Sequence, residues 1–242
     1  MIFLQHILAF LLIVVWPVWD HIEMKRLKQS TASSAKVDSY RRIIVVEWLA
    51  TAVAVAAVAP TNLAIIRGAA LPGLTTGLSK ISPAFAAGLV IGLVIGMLAL
   101  LLLRMRRSRS QQPSPQSWGR DALKRIAFFL PVSSRERLWF ALACVTAGIC
   151  EEILYRGFLI GYLHSLPWGL TLQAALILSS VVFGVLHNSQ GILGVFSIGV
   201  IGFLFGLLFF YTGNLIVPIV LHTLIDLRIL LMKNLPEPEI ST

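Results

Sequence analysis

Glu151-Glu152-Ile153-Leu154-Tyr155-Arg156, Phe183-Gly184-Val185-Leu186-His187 and His222-Thr223-Leu224-Ile225-Asp226 place carboxylates, imidazoles and a guanidinium inside otherwise apolar runs. An ionised side chain near the centre of a bilayer costs about 2.5–3.5 kcal/mol on insertion scales, so such groups in a spanning helix point to function. Glu152 and Arg156 stand four apart and share a helix face, which predicts an ion pair that keeps Glu152 ionised. Glu151 is turned about 100° from Glu152 on a helix and is expected to face a different neighbour. His222 and Asp226 are also four apart, and the carboxylate is expected to take the imidazole N–H and set its tautomer. A carboxylate buried away from a cation suits a general base for water, which assigns that role to Glu151. The histidines, His187 and His222, would hold or polarise the water and stabilise a developing oxyanion.

The elements that must position these groups are membrane helices. Of the 242 residues 57% are hydrophobic and 13% charged, against about 45–50% and about 25% in soluble domains. That balance excludes an ordinary soluble globule, a disordered chain and a disulfide-framed module. A hydrocarbon core about 30 Å thick needs about 20 apolar residues. On that ruler the chain is expected to be an all-α, polytopic transmembrane bundle of about seven spans: 1–19, 44–66, 82–104, 138–163, 170–187, 191–211 and 214–232. Pro60 is expected to kink or end the second span. The run from Met1 lacks a basic leader and a small-residue cleavage site, so no cleavable signal is expected.

The net charge of +9 resides mostly in two loops, 20–43 and 104–137. Cations accumulate in cytoplasmic loops, so the N-terminus is expected outside and the C-terminus inside, with no nucleic-acid partner. Trp16, Trp19, Trp48, Trp139 and Trp168 are expected at the interfaces. The chain divides into 1–110, three spans with a basic loop; 111–137, a linker with a short interfacial helix at 121–130; 138–232, a four-span catalytic core; and a tail, 233–242. Gly88, Gly92 and Gly96, and likewise Gly202 and Gly206, read as close helix packing. Counted along the spans, Glu151 and His222 come out near one depth, with His187 about 10–15 Å nearer the inner surface. A site open to the cytoplasmic side fits best.

Glu-Glu-x-x-x-Arg at 151–156, Phe-x-x-x-His at 183–187 and His-x-x-x-Asp at 222–226 resemble, in order, the motifs of the CPBP family of CAAX proteases and bacteriocin-processing enzymes, also called Abi. The resemblance covers residues 138–232. It implies an intramembrane endopeptidase acting on a membrane-associated protein or peptide, with prenylated CAAX proteins as the eukaryotic substrate class. It further implies that Glu151 activates water with His187, that Glu152 and Arg156 support it, and that His222 with Asp226 forms the oxyanion side. Family members often carry Asn where this chain has Asp226, and an ionised carboxylate cannot donate to an oxyanion. Asp226 is therefore either protonated or orients a donating His222.

Other chemistries fit less well. There is no His-Glu-x-x-His zinc pair and no Gly-x-Gly-Asp, and Ser197 lacks a glycine-flanked setting. Glu151, His187 and His222 could ligate zinc with a water. Arg156 beside the carboxylates favours a mechanism with no metal and no other cofactor. His6, His21 and His164 are expected to carry no role, Glu47 to reach the interface, and Tyr155 to line the site. Cys144 and Cys150 read as small apolar fillers. The competing readings are a non-catalytic membrane partner or immunity protein and a proton-linked transporter built on the same polar cluster. A bacterial-type cell membrane is the expected location.

Overall fold

The computed structural model describes residues 2–30, 32, 34–58, 123–167, 170–232 and 236. The expected span 82–104 with its glycines, the loop 67–81, Pro60, the linker 111–117 and Trp168 lie outside the described residues. No strand occurs among the described residues.

The first helical run joins α1 (Ile2–Phe10), a π-helical segment (Leu11–Val15) and α2 (Trp16–Gln29). Pro17 has no N–H and its ring crowds the carbonyl one turn earlier. A wide turn just before it absorbs both defects, with the Trp16 N–H donating to the Leu11 carbonyl. The run ends at Gln29 rather than at residue 19, and α3 (Ala35–Val58) begins before residue 44. The expected loop 20–43 is therefore mostly helix. The hydropathy ruler stops at the first charges, whereas Glu, Lys, Arg, Met and Leu continue a helix readily beyond them.

The segment at 121–130 is not one surface helix. Its described part is a single turn at 123–125 and a 3₁₀ turn at Ala127–Phe129, with Ala127 and Leu130 buried. Lys36 Nζ donates to the Leu130 carbonyl at 2.6 Å, the Tyr40 hydroxyl donates to Phe129, and the Phe129 ring meets Tyr40 edge-on. Backbone bonding to α3 overrides the amphipathic pattern.

Ser133 then caps α4 (Ser134–Glu151), accepting from the Glu136 N–H while Glu136 Oε2 accepts from Val132 N–H. A π-helical segment (Glu152–Leu159) and α5 (Ile160–His164) continue α4 as one apolar run of 31 residues. Thr171 caps α6 (Leu172–Leu186). Gly191, at φ 80°, starts α7 (Ile192–Thr212), and left-handed Gly213, at φ 69°, ends it. Then α8 (Ile216–Leu227) runs into a 3₁₀ turn at Arg228–Leu231.

Three of these helical runs are long and apolar enough to cross a membrane: Phe3–Gln29, Ser134–His164 and Ile192–Thr212. Their outer faces carry large apolar side chains. Phe3, Leu138 and Phe196 are 77%, 61% and 70% exposed, an apolar exterior that lipid rather than water covers. Inside, Leu12, Leu154, Phe158, Leu159, Leu176 and Phe183 form one core that joins the first run to α5, α6 and the π segment. The protein is an all-α membrane bundle in which α3 and α8 flank α4 and α7 backs α6.

Candidate active site

Four stretches converge: the end of α4, the π segment after it, the end of α6 and the middle of α8. The widened turn begins at Glu152, and the Ile160 N–H reaches back to the Tyr155 carbonyl. Within it Glu152 and Arg156 are both buried, and Arg156 Nη1 donates to Glu152 Oε1 at 2.9 Å. The ion pair expected from the spacing is present. The guanidinium also lies over the Phe183 ring, 4.2 Å from its centroid.

His222 enters from α8 and meets carboxylates at both nitrogens. Nδ1 lies 2.8 Å from Glu152 Oε1. Because Glu152 is paired with Arg156 and accepts only, Nδ1 carries the hydrogen. Nε2 lies 3.4 Å from Asp226 Oδ2 and 3.7 Å from Glu151 Oε2. Nδ1–H is therefore held by Glu152, distant in sequence, while Asp226 stands at Nε2, the nitrogen that the four-residue spacing brings to it. Nor do Glu151 and Glu152 face different neighbours: the imidazole stands between them, with Nδ1 on Glu152 and Nε2 3.7 Å from Glu151.

His187 caps the C-terminal end of α6. Its Nδ1 lies 3.0 Å from the Phe183 carbonyl. A carbonyl accepts only, so Nδ1–H donates and Nε2 is left with a lone pair. Phe183 is the common neighbour of the site. Its ring contacts Arg156, His187, His222 and Tyr155, which is the physical reason for an aromatic residue one turn before the histidine.

A cavity of about 190 Å³ adjoins this cluster and is lined by Glu151, His187 and Asp226 together with Glu47, Asp20 and Trp19. His187 thus shares one cavity with Glu151, although the count along the spans put the two about 10–15 Å apart in depth. The 31-residue run through α4 is longer than a bilayer needs, so counting from its start misplaces Glu151. Glu47 does not reach the interface: it is buried, and its Oε2 has no hydrogen-bond partner. Because α3 starts at Ala35, Glu47 sits twelve residues in, about 18 Å along the helix. Asp20, placed in a loop by the hydropathy ruler, is carried on α2. Trp16 and Trp19 line the cavity. A carboxylate far from the true helix start was the available signal for Glu47, and it was hidden by the misplaced boundary.

The remaining candidates are accounted for. Tyr155 packs on Phe183 behind the cluster and is absent from the cavity wall. Ser197 Oγ donates to the Leu193 carbonyl in its own helix. His6 Nδ1 pairs with the Tyr162 hydroxyl, and His164 Nδ1 with the Leu170 carbonyl. Cys144 and Cys150 are buried free thiols.

Glycines set the helix spacing. A Cβ at Gly148 would collide with the Thr223 side chain and come within 3.0 Å of its backbone nitrogen, so α4 and α8 touch one residue from His222. A Cβ at Gly202 would lie 2.9 Å from Arg156 Nη2 and 3.0 Å from Phe183. At Gly206 a Cβ would collide with Leu176. The four-residue glycine spacing on α7 is thus packing, and Gly202 packs on the site itself. Gly202→Ala is expected to displace the guanidinium and reduce turnover about tenfold or more, while Gly206→Ala, which meets a movable leucine, is the milder change. Turnover of the two variants at matched expression checks this; equal losses would remove the special place of Gly202.

Residues 133–228 match the family model described as Rce1-like, type II CAAX prenyl endopeptidase. The matched stretch runs from the cap of α4 to the end of α8. No curated protein and no solved structure matches the chain. This match falls on the helices that carry Glu-Glu-x-x-x-Arg, Phe-x-x-x-His and His-x-x-x-Asp, and it supports the CPBP family of CAAX proteases for residues 133–228.

Proposed function

We propose that this peptidase hydrolyses a bond of a membrane-associated protein or peptide with a water activated by Glu151. One observation carries the reading: Glu151 lines one cavity with His187, and behind it His222 links Glu151 to the buried Arg156–Glu152 pair. Glu151 takes one proton of a water that donates its other hydrogen to His187 Nε2, and the oxygen attacks the scissile carbonyl. His222 acts as an imidazolium. Its Nδ1–H is held by Glu152, and its Nε2–H donates to the oxyanion that forms. Asp226, on the same side as Nε2, orients the ring and needs no proton of its own. Glu151 then returns its proton to the leaving amine.

The reading uses no metal. Glu152 Oε1 is already shared by Arg156 and His222, and among the described residues no three His, Cys, Asp or Glu side chains are grouped to hold an ion. A guanidinium this close to the carboxylates opposes a second cation. The cavity is lined by Trp16, Trp19, Asp20 and Met24 of α2, by Glu47 of α3 and by α4 from Phe140 to Glu151, and the end of α2 just beyond it carries Lys25, Arg26 and Lys28. That end is the cytoplasmic one by the positive-inside rule, in a bacterial-type cell membrane.

Reconstituted protein should cut a tethered peptide and keep that activity in the presence of 1,10-phenanthroline. Prenylated and unprenylated versions of the peptide show whether the lipid is read. Loss of activity with the chelator, restored by zinc, would overturn the metal-free mechanism.

A further inference from the structure

The cavity is acidic in a basic protein. Asp20 and Glu47 stand in its wall with Glu151 and Asp226, and no Lys or Arg is among its described lining residues, although the chain holds 20 Lys and Arg in all. Glu47, a residue of this wall, is 3% exposed, and its buried Oε2 has no hydrogen-bond partner. A buried carboxylate oxygen without a partner forgoes the interactions that offset its desolvation. Neither Glu47 nor Asp20 lies in the matched stretch 133–228 or in the three motifs.

We infer that Glu47 and Asp20 form a subsite for a basic side chain, Lys or Arg, carried by the peptide substrate near the bond that is cut. The inference rests on the peptidase reading for the origin of that side chain. Three features argue for an organic cation. The carboxylates are not grouped tightly enough to close on a metal ion. Trp16 and Trp19, packed edge to face with centroids 6.0 Å apart, and Phe140 add apolar and aromatic wall along which a methylene stem lies while its charged end reaches the acids. Glu151 belongs to the same wall, so a carbonyl presented to it brings a neighbouring side chain within reach of Glu47. The first helical run and α3 therefore contribute selectivity to chemistry housed in α4, α6 and α8. An acidic substrate side chain is rejected by the same carboxylates.

The test uses a membrane-tethered peptide with Lys, norleucine or Glu placed in turn at positions flanking the scissile bond. At the preferred position the Lys peptide should exceed its norleucine twin about tenfold or more in kcat/KM, the effect of one charge-assisted hydrogen bond, with the Glu peptide poorest. In Glu47→Gln that ratio should fall toward one, and in Asp20→Asn it should fall in part. Binding of the same peptides to Glu151→Gln protein, read by calorimetry in detergent, should follow the same order without cleavage. Equal handling of the Lys and norleucine peptides, or a preference that survives Glu47→Gln, overturns the subsite. If Glu47→Gln elutes as an aggregate, Asp20→Asn decides, and an unchanged ratio there is the negative result. Protein that binds in this order but cuts nothing removes the peptidase reading and leaves the cation subsite in place. Protein that cuts all three peptides alike does the reverse.

Discussion

Glu151→Gln is expected to lower cleavage of a membrane-tethered peptide by about 10²–10⁴-fold, the range for loss of a positioned general base. The substitution keeps shape and removes only the ability to take a proton. Glu151 Oε2 has no hydrogen-bond partner and lies 3.7 Å from His222 Nε2, so neutralising it breaks no hydrogen bond. The bundle should therefore unfold at nearly the same temperature as the parent. His222→Ala should cost about 10²–10³-fold through loss of the oxyanion donor. It also frees one acceptor site on Glu152, which retains Arg156. Initial rates at equal reconstituted protein, with thermal unfolding alongside, check both. Full activity in Glu151→Gln ends the glutamate mechanism, and a non-catalytic partner role would then need the same cluster for binding alone.

The second large effect is on stability. Arg156→Met is expected to destabilise the bundle by about 3–5 kcal/mol, because it takes the guanidinium from buried Glu152 and leaves His222 as its remaining partner. Both side chains are almost wholly buried, at 2% and 0% exposure, so water cannot solvate the survivor. The guanidinium also leaves the Phe183 ring it covers. Arg156→Met combined with Glu152→Gln should recover much of that loss, since an apolar or neutral replacement of both partners removes the desolvation cost with the attraction. Activity should not recover with stability, because His222 Nδ1 loses its ionised acceptor. Unfolding of the two variants in one detergent checks the pattern. A single-variant loss under about 1 kcal/mol would mean that water reaches the pair as it reaches surface ion pairs.

Glycine spacing links the two effects. Gly148 holds α8 against α4 next to His222, and Gly202 holds α7 against Arg156. Both contacts fix distances that a longer side chain would open, so the site depends on backbone proximity as much as on its ionisable groups. The π segment serves the same end: it starts at Glu152 and buries Arg156 while keeping the pair at 2.9 Å.

Membrane residence and the two pairs of chemical groups are local properties. Hydropathy over about 20 residues marks a span, and a four-residue separation puts Glu152 with Arg156, and His222 with Asp226, on one helix face. Nothing beyond neighbouring residues is needed to read them. Which carboxylate holds which imidazole nitrogen is not local. His222 Nδ1 takes Glu152, 70 residues away, because α8 packs on α4 through Gly148. The depth of His187, the presence of Glu47 and Asp20 in the cavity, and the inward docking of Phe129 and Leu130 depend on helix ends and crossings that periodicity does not record. A charged residue ends a hydrophobic count but not a helix. For that reason composition located the bilayer and packing alone chose what faces the cavity.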